Sequence, residues 1–176
     1  MIDVVKRHGG VLAAFAVIGT ALYWTALSAF FLSDDFEFLT IVASARSWLV
    51  IFEPLVGRFV RPLVVFVYYA CYQVFGLAPA PYHLVVLALH VFNAWCVYLI
   101  ARRLLPAPDR IGPLLTGLLF LVFSSHSEAV AWIAGVADPL LAAFLLPAFL
   151  AYLRALEPGT SIRWIWVAFV LMLCGS

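Results

Sequence analysis

From Val11 to Leu32 the chain runs for 22 residues with Thr20, Thr25 and Ser28 as its only polar members. As a helix this run reaches about 33 Å, enough to cross a hydrocarbon core of about 30 Å. Lys6-Arg7 ahead of it suggest a secretory signal, but a signal's apolar stretch is about 7–15 residues long and ends on small side chains. This one ends Phe30-Phe31-Leu32, so it predicts a retained first span over 11–32. A second span is predicted over His83–Ala101, closed by Arg102-Arg103 and by Pro106 and Pro108. A third covers 111–125, its clearly apolar part being Ile111–Phe123. Pro139–Leu156 gives a fourth, and Trp164–Ser176 a partial fifth.

The stretch between the first two spans, 33–82, is predicted to be a large outer loop. Within it Pro62–Phe75 is apolar, but its 14 residues reach only about 21 Å as a helix. It reads as a helix lying on the outer leaflet or dipping into it. Phe36–Phe52 reads as a second such helix, interrupted by Thr40, Ser44, Arg46 and Ser47. The expected fold is all-α: one polytopic transmembrane bundle over 1–176, with four complete spans, a partial fifth and interfacial helices in the first outer loop. The half-span reads as the point where a longer protein continues.

Composition narrows the class. The chain is 66% hydrophobic and 11% charged, against about 45–50% and about 25% in soluble domains. Soluble and disordered classes are thereby excluded, and an integral membrane protein remains. A formal net charge of +1 gives no basis for a nucleic-acid partner. Cys71, Cys96 and Cys174 lie in apolar runs without metal-ligand spacing and read as small hydrophobes. Lys6, Arg7, Arg102, Arg103, Arg110, Arg154 and Arg163 fall on one side of the expected topology. The positive-inside rule makes that side, with the N-terminus, cytoplasmic; in a bacterial source the membrane would be the plasma or inner membrane. Asp34, Asp35, Glu37, Glu53, Glu128 and Asp138 fall on the other side, where orientation does not require them.

Four polar groups therefore need a reason. Asp34 followed by Glu37 fits a helix N-cap with its reciprocal acid. The functional reading places Asp34 or Asp35 at the membrane surface as a general base or metal ligand. The two readings are compatible, since Asp34 can cap while Asp35 faces a cavity. Arg58 and Arg61 either snorkel to lipid phosphates or form a fork-shaped donor set for the phosphate of a lipid-linked substrate. His83, His90 and Asn93 share one face of the second span, where polar groups bond neighbouring helices, and His83 lies nearest the outer surface. His126 and Glu128 follow a span that has covered only about 20 Å, so they are expected to lie recessed on the outer side. Asp138 before Pro139 fits the N-cap of the fourth span.

These residues resemble a family. Asp34-Asp35-Phe36, Arg61-Pro62-Leu63, Tyr82-His83-Leu84 with His90 and Asn93, and His126-Ser127 running into Glu128-Ala129-Val130-Ala131-Trp132-Ile133-Ala134-Gly135 together resemble integral-membrane glycosyltransferases of the C superfamily. The nearest likeness is to protein O-mannosyltransferase relatives that carry TPR repeats after the membrane part. The likeness runs from Ser33 to about Leu156. Val86 and Ser127 stand where family members often have Asn and Pro.

The resemblance implies transfer of a sugar from a polyprenyl- or dolichyl-phosphate donor to a protein or glycan acceptor on the extracytoplasmic face. It makes Asp35, with Asp34 beside it, the catalytic acid pair. Arg58 or Arg61 would bind the lipid phosphate, with His83, His126 and Glu128 on the substrate side. A divalent metal ion would rest on Asp35 and Glu128. The chemistry is consistent, since such transfer needs a base at the acceptor hydroxyl and positive charge at the leaving phosphate. The alternative expectation is a non-catalytic membrane protein that binds or moves lipid-linked sugars, using the arginines but not the acids.

Overall fold

The structure, a computed structural model, describes residues 2–54, 60–106, 108–123 and 126–175. Helix α1 (Ile2–Leu22) stops at Tyr23, ten residues before the apolar run ends. A four-residue turn of helix, α2 (Trp24–Leu27), follows, and Ser28 Oγ donates back to Thr25 O at 2.9 Å. That bond closes the short turn, five residues past the break at Tyr23. The 22-residue run is therefore split, and its second half becomes a loop instead of the end of a span.

Helix α3 (Asp35–Ser44) and a 3-10 turn at Trp48–Phe52 occupy the expected interfacial segment. The break falls where Ala45 turns extended and Ser47 Oγ accepts from Leu49 N at 3.1 Å. Helix α4 (Pro62–Phe75) has the bounds expected from the sequence, with Pro62 in its first turn and Gly76 at φ 58° ending it. That left-handed conformation costs glycine little. Helix α5 (Pro79–Leu104) starts four residues before its expected span and carries Arg102 and Arg103 in its last turn.

Helix α6 (Ile111–Val122) is short and begins where Asp109 Oδ1 accepts from Ile111 N and Gly112 N at 3.0 and 2.8 Å. Helix α7 (Ser127–Ala131), a 3-10 turn at Ile133–Val136, α8 (Ala137–Ala155) and α9 (Arg163–Gly175) complete the chain. Asp138 is exposed in the first turn of α8, whose start at Ala137 leaves it inside the helix and not at the expected cap.

No strand occurs among the described residues, so the all-α expectation holds. The expected spans are supported in part. Two helices are long and apolar enough to cross a membrane by length and composition, α5 and the 23-residue stretch Ile133–Ala155. The first, third and fifth expected spans are represented by shorter apolar helices: His8–Leu22, Ile111–Val122 and Arg163–Cys174. Length and composition thus support two of the expected spans directly, and α1 taken whole runs 21 residues.

Helix α5 is the hub, packed against α1, α6 and α8. Its buried polar stripe bonds the neighbours: His90 Nε2 donates to Leu121 O at 3.0 Å and Asn93 Nδ2 to Pro139 O at 2.9 Å. Gly117 brings α6 close, since a Cβ there would lie 2.8 Å from the Phe15 ring and 2.9 Å from Tyr98 Cβ. Two apolar clusters divide the interior. One gathers Phe15, Tyr23, Leu87, Val91, Trp95, Tyr98 and Leu121 around the lower part of α5. The other joins Phe31, Phe38, Val42, Val65, Tyr68, Tyr82, Ile133 and Val136. It seats α3, α4 and the 3-10 turn at Ile133 beneath the loop that carries the acids.

Candidate functional site

The loop between α2 and α3 is pinned at several points. Phe31 is buried, its ring meeting Tyr82 edge-on with centroids 5.1 Å apart. His83 Nε2 donates to Ala29 O at 3.2 Å, and Trp132 Nε1 donates to Leu32 O at 3.3 Å. Ser33 then sits at φ 49°, the one positive φ of a non-glycine residue among those described. Such a conformation costs about 1–3 kcal/mol and persists only where its surroundings over-determine it. The next residue is Asp34.

Asp34 and Asp35 part company here. Asp34 is exposed; its carboxylate makes no cap bond to α3 and accepts from Ser33 Oγ at 3.0 Å. Asp35 is 1% exposed. Its Oδ2 accepts from Leu32 N at 2.8 Å, and its Oδ1 accepts from Tyr68 Oη at 2.5 Å and from Ala134 N at 2.8 Å. The sequence led us to expect Asp34 as the cap and Asp35 facing a cavity; instead no side chain caps α3, Asp34 is exposed, and Asp35 is buried among donors. The reason is steric and polar together. With Phe31, Phe38 and Leu39 buried, position 35 is turned inward, and a carboxylate there must be satisfied by donors.

Asp35 links three separate segments: the acid loop, α4 through Tyr68, and, through Ala134, the segment around Trp132–Val136 that the sequence leads one to expect as a second outer loop. Tyr68 is fully buried. Burial first, and then the Asp35 carboxylate, push its hydroxyl above the ordinary tyrosine value, so it stays protonated as a donor. Three donors occupy three of the roughly four acceptor sites of a carboxylate. That arrangement does not suit Asp35 to a metal ion. Glu128 is exposed on α7, and no three His, Cys, Asp or Glu side chains gather as a metal-binding set among the described residues.

The other expected residues are distributed as follows. Arg61 is exposed at the N-terminus of α4, two helical turns and about 10 Å of rise before Tyr68. Arg58 lies outside the described residues. His83 is buried, and its Nδ1 has no hydrogen-bond partner. It holds the acid loop from below and is not open to a substrate. His126 is half-buried and donates from Nδ1 to Phe120 O at 3.0 Å. With His90 on Leu121 O, it satisfies the last carbonyls of α6, which explains how that helix can end so early. The segment after α7 does meet the acid loop, through Trp132 on Leu32 O and Ala134 N on Asp35; no bond from His126 or Glu128 reaches Asp35.

Sequence reasoning missed Tyr68 entirely. Its signal was a tyrosine inside an apolar helix, whose hydroxyl must find a partner when buried.

Comparison with known proteins bears on this arrangement. No protein-family profile matches the chain, and no solved structure matches it. Among curated sequences it is 41% identical over 117 residues to the protein O-mannosyl-transferase Tmtc1 of Drosophila melanogaster, covering 65% of this chain and 13% of that protein. It is 33% identical over 113 residues to the human protein O-mannosyl-transferase TMTC3, covering 64% and 12%. To the Drosophila protein O-mannosyl-transferase Tmtc2 it is 33% identical over 120 residues, covering 66% and 13%. The chain is thus homologous over about 65% of its length to protein O-mannosyl-transferases of the Tmtc kind, and spans 12–13% of the length of these relatives.

Proposed function

We propose that the chain is the part of a membrane glycosyltransferase that carries the catalytic acid, and that the whole protein moves a sugar from a polyprenyl-phosphate donor to an acceptor hydroxyl outside the cytoplasm. The observation that carries this reading is an exposed carboxylate, Asp34, on a strained and pinned loop, backed by the buried, fully engaged Asp35. The relatives' names supply the sugar, mannose, and a protein acceptor.

In this reading the N-terminus is cytoplasmic and the acid loop lies at the outer membrane boundary. Asp34 accepts the proton of the acceptor hydroxyl as its oxygen bonds the anomeric carbon. The bond from that carbon to the phosphate oxygen breaks, and polyprenyl phosphate leaves with the electron pair. Arg61, with Arg58, holds the phosphate and offsets the charge it gains. General-base help of this kind contributes about 10²–10⁴-fold.

The test uses the full-length protein in membranes with polyprenyl-phosphate mannose. Asp34→Asn is expected to lower the transfer rate by about 10²–10⁴-fold while lipid-donor binding is retained, and Arg61→Gln to weaken donor binding. Transfer that survives Asp34→Asn at equal expression would refute the enzyme reading. Loss of donor binding with the arginine alone, and no transfer in any variant, would leave a carrier of lipid-linked sugars in its place.

A further inference from the structure

A residue held at φ 49° beside an exposed carboxylate needs a frame, and the frame here comes from distant parts of the chain. Leu32, the residue before Ser33, is fixed on both sides: its N–H donates to Asp35 Oδ2 and its carbonyl accepts from Trp132 Nε1. Asp35, two residues after Ser33, is fixed by Tyr68 Oη and Ala134 N. Tyr68 lies 33 residues away in sequence on α4, and Trp132 lies 100 residues from Leu32 on the second outer loop. Tyr68 is fully buried and stacks on Phe38 with centroids 4.7 Å apart. It therefore reaches the site only through Asp35.

We propose that Tyr68 and Trp132 are positioning residues that set the direction of the Asp34 carboxylate, acting through Asp35 and the Leu32 backbone. This rests on the reading of Asp34 as the base. The same frame fixes the relation between the two proposed substrate groups, because α4 carries Arg61 at one end and Tyr68 two turns along. It also makes the second outer loop part of the site by its backbone and its indole, with no contribution from the Glu128 carboxylate. Misplacing a reacting group by about 1 Å is enough to cost about 10²-fold in rate.

The experiment uses the full-length protein with polyprenyl-phosphate mannose. Tyr68→Phe and Trp132→Phe are each expected to lower kcat by about 10–100-fold while the donor KM moves less than about threefold. Gly117→Ala, a substitution in the packing of α6 away from the acids, is the control: it lowers the folded yield but leaves kcat per folded molecule unchanged.

A second readout is independent of turnover. With Asp34→Cys as the reporter, labelling by a membrane-impermeant thiol reagent is expected to change by more than about threefold when Tyr68→Phe or Trp132→Phe is added, and not with Gly117→Ala. Unchanged labelling together with unchanged kcat in both variants would overturn the proposal. Should Tyr68→Phe fail to fold, Trp132→Phe decides alone. Transfer that survives Asp34→Asn would defeat the assignment of the base, whereas the labelling result would still judge the frame.

Discussion

Replacing Asp35 tests how much the junction beneath the acid loop contributes to stability. Asp35→Asn keeps the shape and one acceptor oxygen. Placed toward Tyr68 Oη and Ala134 N, that oxygen preserves two of the three bonds, and the amide nitrogen then faces the N–H of Leu32, donor against donor. Bonds to a charged group contribute about 1.5–3 kcal/mol, so the expected loss is about 2–3 kcal/mol. Asp35→Ala leaves all three donors without an acceptor, at about 1–3 kcal/mol each. That total approaches the whole stability of a typical domain, about 5–15 kcal/mol, so the alanine variant is expected not to accumulate in folded form.

The pairwise part is isolated by a cycle with Tyr68→Phe, which removes the 2.5 Å bond and leaves the ring stacked on Phe38. A coupling of about 1–2 kcal/mol between Asp35→Asn and Tyr68→Phe is expected from unfolding of the purified protein in mixed detergent micelles. A coupling below about 0.5 kcal/mol, the scatter seen for independent sites, would show that the two side chains do not act as a unit.

Two further outcomes follow from the packing and from the same tyrosine. Gly117→Val should destabilise by about 1–3 kcal/mol, because its side chain would drive into the Phe15 ring and Tyr98 where a Cβ alone already lies within 2.9 Å; thermal unfolding in detergent reads this directly, and an unchanged midpoint would mean that α6 does not sit this close. Because the Tyr68 hydroxyl is held above its ordinary value of 10.0, the folded state keeps its proton where the unfolded chain loses it. Stability from this group is thus complete below about pH 10 and falls as pH rises beyond it, and Tyr68→Phe should flatten that fall in unfolding measurements between about pH 9 and 11.

Much of the helical pattern was legible because apolar runs and punctuation are local properties. Pro62 and Gly76 bracket α4 at the bounds its composition predicts, and Arg102-Arg103 close α5 as a basic last turn. Hydropathy alone did not show where the first apolar run leaves the helix. Thr25 and Ser28 sit in a run that any hydropathy window would accept, yet α1 ends at Leu22 and the short α2 at Leu27. In α6 the end at Val122 depends on imidazoles from His90 and His126, which lie 31 residues before Leu121 and 6 after Phe120. No local pattern reveals that a helix's last carbonyls have found such partners.

The acid pair shows the same division between local and distant causes. That two acids after an apolar run needed an explanation was visible in the sequence; which one is buried was not. Capping rules make Asp34 the N-cap because they consider only the helix that follows. The outcome was decided by Tyr68 and Ala134, which supply donors at position 35 and none at position 34. A carboxylate is driven inside only where enough donors wait for it, so the exposed member of the pair is the one the rest of the fold leaves unclaimed. That is why the proposed base is Asp34, and why the proposed frame for it runs through Asp35, the better satisfied of the two.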